Sequence, residues 1–383
     1  MFRKDLKAKT QYLGSVNHKT KRIVITGGHH TSAIPVIKEI WRRNPNVEIC
    51  WFGHKYSMKG DKNTTLEFKQ ITSLGISFFA LQAGKVYKTY NIFRLVKVPL
   101  GFLHAFVLLM QIRPNLILSF GGYLAVPVVV AGYILKIPSI THEQTMVAGY
   151  ANKVISKFAR RIMLSWVESE KYYPKNKIVL TGISLRKEIF VSSSNKFEVN
   201  NQLPTVYVTA GKTGSHKINL LIKESLPKLL DLANIIHQCG DHSYYKDFDI
   251  LLEEAKKYNN KPGKYLPVKF VLDNEIGEVF SVSKLIISRA GAHTISEIIA
   301  LEKPALLIPI PWVSHNEQKI NAELVKSVGL GEIIEEKHLS VELFIRKVEQ
   351  MLLAIDNYKI KDKSFGVIRD AEIKITDIVF KYL

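Results

Sequence analysis

The feature that most constrains this chain is an alternation of short apolar, β-branched runs with stretches of helical period, sustained from residue 22 to residue 328. The runs predict strands at 22–26, 47–52, 76–81, 115–120, 138–142, 161–165 and 177–181, then a second series at 205–209, 234–238, 268–272, 285–288 and 305–309. Helical patterns fill the gaps, for example at 34–43, 218–230, 295–301 and 318–328. Strands that are apolar throughout are buried on both faces, and helical crossovers between them make their sheets parallel. Two such series in 383 residues exceed one ordinary core. They predict an α/β protein of two Rossmann-like, doubly wound domains facing across a cleft. The polar stretch VSSSNKFEVNNQLP (191–204) is the expected linker. Ligands of such folds sit at the carboxyl ends of the strands, so the cleft is the expected site.

Three strand-to-helix turns are rich in Gly, Ser and Thr: RIVITGGHHTSAIPVIKEI (22–40), VTAGKTGSHKIN (208–219) and ISRAGAHTISEIIA (287–300). Glycine lets the backbone approach a ligand, and the helix that follows offers unpaired N–H groups at its positive end. Together the turns suit phosphorylated ligands. GKT at 211–213 is not a P-loop, because Val206 stands where that motif needs glycine. The first turn is not G-x-G-x-x-G, so a nicotinamide cofactor is unsupported. DFD at 247–249 has the carboxylate spacing of a metal site but lies in a polar helical stretch and reads as a solvated face. No G-x-S-x-G elbow exists for acyl chemistry. Glu297, one to two turns into the helix that opens at Gly291–His293, could accept both hydroxyls of a ribose. An ordinary exposed helix glutamate is the plainer alternative.

A net charge of +20 calls for a polyanionic partner: nucleic acid, anionic lipid or a phosphate-rich substrate. Interleaved aromatic and basic residues on a sheet face, or a recognition helix, would mark a nucleic-acid binder, and neither is present. The apolar segment VPLGFLHAFVLLM (98–110) is too short to span a bilayer. It reads either as a buried helix or as an interfacial one, since Lys85, Lys88, Arg94 and Lys97 precede it. Only Cys50 and Cys239 are present, which excludes a disulfide framework or zinc cluster and favours a reducing, cytoplasmic setting. The first residues, MFRKDLKAKTQY, lack the apolar core of a signal peptide and read as a flexible basic tether.

Taken together, these segments resemble the MurG family, bacterial peripheral-membrane N-acetylglucosaminyltransferases of GT-B fold. SFGGYLAVPVVVAGYILKIPSITHEQTMVAGYANKVISKFARRI (119–162) resembles the family's GGY…P…GIP…HEQN…G..N segment. LTGISLRKEI (180–189) resembles T-G-N-P-V-R. SRAGAHTISEIIALEKPALLIPIPWVSHNEQKINAELV (288–325) resembles S-R-[SA]-G-A-x-T-[IV]-x-E followed by the P-x-P and Q-Q-x-x-N-A block. The match runs in order from about residue 22 to 335.

The resemblance implies transfer of GlcNAc from UDP-GlcNAc to a polyprenyl-diphosphate-linked sugar, with inversion, no cofactor and no obligatory metal, at the cytoplasmic face of the membrane. After the basic extension (1–20), it implies an acceptor-side domain (21–184), a donor-side domain (185–360) and a final helix (361–383) packed back on the first domain. Glu297 would hold the ribose, and Gly291, Ala292, His293 and Thr294 the donor diphosphate. Gln318 would contact the GlcNAc hydroxyls, Glu317 would bind the donor beside it, Arg186 would stabilise phosphate charge, and Gly211, Lys212, Thr213 and Gly214 would also face the donor. Gly27, Gly28, Thr31, Ser32, Gly121, Gly122, Tyr123, His142, Glu143 and Gln144 would line the acceptor side. The segment 85–110 would dock on the anionic membrane surface.

The chain departs from the family pattern in places. Where G-G-T-G-G-H-x-x-P places a histidine, the usual candidate for general base, this chain has Ser32. Thr145 replaces the last residue of HEQN, Glu317 replaces the first glutamine of the Q-Q pair, and G-G-S-Q-G-A reads AGKTGS (210–215). His29 or His30 is the expected base, two or three positions from the family's site. A related transferase for another surface glycan, a UDP-sugar hydrolase or epimerase, and a non-catalytic UDP-sugar-binding subunit are the alternatives.

Overall fold

Strands buried on both faces assemble into two parallel sheets, and the helices between them cover both sides. The computed structural model describes residues 20–56, 64–81, 92–192, 194–211, 214–242, 244–312, 316–361, 368 and 370–383, with backbone only from 92 to 97.

The first domain runs β1 (Arg22–Thr26), α1 (His30–Arg43), β2 (Glu48–Gly53), α2 (Leu66–Ser73), β3 (Ser77–Ala80), α3 (Ile92–Ile112), β4 (Leu116–Ser119), α4 (Ala125–Ile134), β5 (Ser139–Glu143), α5 (Tyr150–Phe158), β6 (Arg161–Leu164) and β7 (Ile178–Leu180). Its sheet order is β3-β2-β1-β4-β5-β6-β7. The second runs β8 (Thr205–Thr209), α6 (His216–Leu232), β9 (Asn234–Gln238), α7 (Asp247–Ala255), β10 (Tyr265–Val268), α8 (Ile276–Val282), β11 (Ser283–Ser288), α9 (Ala292–Ala300), β12 (Ala305–Leu307), α10 (Glu317–Ser327), β13 (Gly331–Ile333) and α11 (Val341–Leu353). Its order is β10-β9-β8-β11-β12-β13. The winding direction reverses between β1 and β4 and between β8 and β11, which is where such sheets open a crevice at their carboxyl ends. The central strands β4, β5, β8 and β9 are buried at every residue.

A final helix, α12 (Ala371–Tyr382), returns to the first domain. Ile375, Ile378 and Val379 share a core with Ile23, Val36 and Ile37, and Arg43 Nη1 lies 2.6 Å from Asp377 Oδ1. The outward crossing runs through Gly182 to Arg186, where Ile183 and Leu185 enter a core dominated by second-domain residues. Gly182 has φ of +81°, and a Cβ there would sit 2.5 Å from Ile368 Cβ, so the two crossings touch.

The stretch 191–204 is not a free linker. Phe197 is buried in the second core, and Glu278 of α8 accepts from the Ser194 hydroxyl and from the backbone N–H groups of Lys196 and Phe197. Strand β10 lies three residues before its expected place, because Tyr265 is buried with its hydroxyl 2.9 Å from His237 Nδ1 and fixes the register. Pro267 is tolerated there because β10 is an edge strand. Strand β13 had no counterpart among the expected strands.

Helix α3 has two apolar faces. Ala105, Leu109 and Ile112 are buried, while Leu100, Leu103, Val107 and Met110 form an exposed stripe at helical spacing. Tyr133 and Ile134 of α4 and Tyr150 and Val154 of α5 are exposed on the adjoining helices. Among the described residues no helix is long and apolar enough to cross a membrane. Lys85 and Lys88 lie outside the described residues.

Candidate active site

On the first domain, two glycine turns form a floor without side chains. A Cβ on Gly27 (φ +134°) would sit 2.8 Å from the Phe120 carbonyl carbon and 2.9 Å from Gly121 O, so the turn after β1 meets the turn after β4 only as glycine. Gly121 and Gly122 both have positive φ. The Gly121 N–H donates to Ser119 Oγ at 3.0 Å, and the Gly122 N–H to Asn152 Oδ1 at 3.1 Å. Asn152 in turn donates through Nδ2 to Glu143 Oε2 at 2.7 Å. Glu143 also accepts from the Thr145 N–H, the Thr145 hydroxyl and the Tyr173 hydroxyl. Thr145, which stands where the family pattern has asparagine, is thus a structural partner of Glu143.

His142, Glu143 and Gln144 therefore do not line the cleft as expected. All three are at most 2% exposed, because β5 is a central strand covered on both faces. His142 Nε2 lies 2.8 Å from Gly182 O. Burial holds its pKa down at about 4, with Gly182 opposing and His29 adding to the depression. The Gln144 backbone carbonyl accepts from Trp166 Nε1 at 3.1 Å. These residues set the shape and field of the floor from beneath.

The histidines of the first turn have different surroundings. His29 is the residue before α1, accessible to solvent but crowded by protein on the cleft floor. The crowding lowers its pKa, and the Glu143 charge partly opposes the change. Helix α1 has no side-chain cap and no acid in its first turn, so its positive end also disfavours an imidazolium. His30 Nε2 lies 2.9 Å from Gln70 Oε1 and is turned toward α2. Thr31 is partly exposed. Ser32 is 1% exposed and lies against the core side of α1, so it cannot line the acceptor surface as expected. The Tyr123 hydroxyl lies 2.7 Å from His54 Nε2, a neighbour the sequence did not single out.

On the second domain, α6 and α9 begin without a capping side chain or an acidic first turn. A Cβ on Gly214 (φ +71°) would fall 1.9 Å from Cys239 O, so this turn too requires glycine. Gly211 also has positive φ, while Lys212 and Thr213 lie outside the described residues. Gly291 precedes α9, and Ala292, His293 and Thr294 form its first turn. Glu297 is 4% exposed, with Oε1 accepting from Arg186 Nε at 2.9 Å and lying 3.5 Å from His293 Nε2. It is not an ordinary exposed glutamate. Arg186 also reaches Asp273 Oδ1 through Nη1 at 3.1 Å. Burial alone would lower the Arg186 pKa, but Glu297 and Asp273 raise it above its ordinary value. Gln318 Oε1 accepts from the Ile310 N–H at 3.0 Å.

Two family models match the chain. The glycosyltransferase family 28 N-terminal domain matches residues 25–164, and its C-terminal domain matches residues 205–374. A protein of Clostridium tetani named UDP-N-acetylglucosamine–N-acetylmuramyl-(pentapeptide) pyrophosphoryl-undecaprenol N-acetylglucosamine transferase is 31% identical, over 94% of this chain and 98% of its own length. A like-named protein of Lachnoclostridium phytofermentans is 32% identical, over 92% of this chain and its whole length. The crystal structure of MurG from Acinetobacter baumannii superposes with a TM-score of 0.69, covering 94% of this chain and 99% of that one, at 20% identity. The chain belongs to the MurG family.

In this MurG-family chain, Arg289 of the SRAG segment (288–291) organises the site, a role that its sequence motif alone does not reveal. Its Nη1 is 2.6 Å from Glu336 Oε2 and donates to Ile308 O at 3.0 Å, while Nη2 donates to Ser215 Oγ at 3.1 Å. One buried guanidinium thereby ties together the turn after β8, the approach to α9 and the end of β12. Asn321 of α10 supports the same approach by donating to Ala290 O at 2.9 Å. The signal was available as an arginine directly after an apolar strand, where a cation must be paired.

Asp247 is also not on a solvated face. It is 6% exposed and bonded to His216 and Asn219, because α7 starts against α6; Asp249 is exposed. Among the described residues no group of three or more His, Cys, Asp or Glu side chains is placed to hold a metal.

Glu317, where the MurG pattern has glutamine, has its pKa pushed up to about 7 by burial and then by the Glu143 charge. The folded chain thus favours the protonated acid. The resulting penalty is absent below the ordinary value of 4.5, grows as pH rises toward about 7 and is full above it. Glu317→Gln should accordingly melt like the unsubstituted protein well below pH 4.5 and at a higher temperature at pH 8. Equal melting temperatures at both pH values would contradict this.

Proposed function

We propose that this chain transfers N-acetylglucosamine from UDP-GlcNAc to a polyprenyl-diphosphate-linked N-acetylmuramyl acceptor, the lipid I to lipid II step of peptidoglycan synthesis. The observation that carries the donor half is α9. Its uncapped amino end offers N–H groups to a diphosphate, and Glu297, just over one turn later, is a buried carboxylate suited to ribose hydroxyls. The acceptor half is supported by the names of relatives that match both domains at 31–32% identity.

The reaction is a direct displacement. The acceptor oxygen attacks the anomeric carbon, the bond from that carbon to the UDP oxygen breaks, and the configuration inverts. The acceptor proton passes to neutral His29, the only one of the two first-turn histidines whose Nε2 is not set against Gln70. Charge on the departing diphosphate is met by the α9 amides and by Arg186, which donor binding draws from Glu297. The donor therefore replaces an existing ion pair.

The lipid acceptor requires contact with a membrane surface. The exposed stripe Leu100, Leu103, Val107 and Met110, with Tyr133 and Tyr150 beside it, fits an interfacial face on the anionic cytoplasmic leaflet. Replacing Leu100 and Leu103 together by Glu should reduce cosedimentation with anionic vesicles at least tenfold, since each leucine contributes about 1.5–3 kcal/mol when buried. Unchanged cosedimentation would place the contact elsewhere.

The decisive assay supplies labelled UDP-GlcNAc and a panel of polyprenyl-diphosphate-linked acceptors. Label moving to the N-acetylmuramyl lipid is the expected result. UDP binding without transfer to any acceptor would overturn the proposal and favour a non-catalytic subunit.

A further inference from the structure

The second domain contains a polar chain that the proposed reaction does not use. His216, the first residue of α6, has Nδ1 2.7 Å from Asp247 Oδ1. The other Asp247 oxygen accepts from Asn219 Nδ2 at 2.8 Å. Asn219 Oδ1 lies 3.1 Å from His237 Nε2, whose Nδ1 lies 2.9 Å from the Tyr265 hydroxyl. The Tyr245 ring stacks on the His216 ring, with centroids 3.9 Å apart and planes at 12°. The chain therefore runs from a partly exposed imidazole into the fully buried interior of β9.

This arrangement aims His216. A carboxylate oxygen can only accept, so Nδ1 carries its hydrogen inward and Nε2 is the outward atom. Nε2 has no hydrogen-bond partner among the described residues. A histidine that merely packs against Tyr245 needs no buried carboxylate to fix its orientation, and burying that carboxylate costs free energy unless the charge is matched. The ring stands at the carboxyl end of the second sheet, directly after the glycine turn. Its neighbour Ser215 accepts from Arg289, so the turn abuts the approach to α9. An imidazolium held in this position would balance Asp247 on one side and donate a charge-assisted hydrogen bond on the other, an arrangement that an anionic ligand at Nε2 would itself favour.

We propose that His216, positioned by Asp247, contacts the diphosphate of the nucleotide donor. The inference rests on the donor reading above and adds a phosphate contact from α6 to those from α9. Asp247 is a positioning residue that acts through the ring.

The test compares binding of UDP and uridine to the full chain and to the variants H216A, H216F and D247N. H216F keeps the stack on Tyr245 and guards against misfolding of H216A. Both His216 variants should bind UDP about 10- to 100-fold more weakly, the loss expected for a hydrogen bond to a charged group, with uridine binding unchanged. D247N should show a smaller loss in the same direction. In turnover, the KM for UDP-GlcNAc should rise while kcat stays within a fewfold, as expected when ground and transition states lose the same contact. Equal losses for UDP and uridine, or unchanged UDP binding in both His216 variants, would overturn the proposal. Failure of the unsubstituted protein to bind UDP would instead overturn the donor reading itself.

Discussion

His29→Ala is expected to lower kcat by about 10²–10⁴-fold, the usual contribution of a positioned base, with UDP affinity little changed. His30→Ala is expected to lower it less than tenfold. Sequence treats the two as equals, since both follow Gly28. The structure separates them: His30 Nε2 faces Gln70, whereas His29 is accessible on the floor. Protein crowding lowers the His29 pKa and Glu143 limits the shift, so the ring is neutral at pH 7 and free to take a proton. His29→Gln would keep a polar group without a basic nitrogen and should be nearly as slow as the alanine variant. Single-turnover rates with saturating UDP-GlcNAc separate the chemical step from binding. If both histidine variants turn over at the unsubstituted rate, the base lies elsewhere.

Glu336→Ala is expected to destabilise the fold by about 3–5 kcal/mol, measured by urea unfolding, because it strands Arg289 in the interior. The pair is closed from water, with side-chain exposures of 7% and 4%, and Lys217 Nζ adds a contact at 3.0 Å. Burial would raise the Glu336 pKa, but hydrogen bonds from Lys217 and Arg289 lower it below the ordinary 4.5. A depressed acid contributes stability above its ordinary value and loses it as pH falls through the folded value. The gap between Glu336→Ala and the unsubstituted protein should therefore narrow in acid. Replacing both partners, as in R289M with E336L, should recover most of the stability. Donor affinity should stay low, because Ser215 and Ile308 lose their shared donor. A Glu336→Ala variant within about 0.5 kcal/mol of the original would show that water reaches Arg289.

The architecture was legible because its signal is local. Strands 205–209 and 234–238 stand where periodicity put them, since each is a short run buried at every residue. Helices begin earlier than their apolar pattern: α1 starts at His30 rather than Ile34, because the polar first turn packs through Ser32 and Ala33. What sequence did not show was distance-dependent. Nothing near residue 247 reveals that Asp247 meets His216, and nothing near 289 reveals Glu336, since those pairs are made by the sheet order. Residues 142–144 illustrate the opposite error. A polar motif at a strand end reads as a ligand surface, yet here it braces the neighbouring turns.

The return of α12 to the first domain bears on the order of synthesis. The core around β1 includes Ile375 and Val379, so the first domain, which leaves a ribosome ahead of the second, cannot close its core until the second has been made. The second domain lies wholly between those ends and can fold before the first is complete. Until α12 arrives, α1 keeps an apolar face uncovered beside β1. The domain made earlier is thus the one finished later.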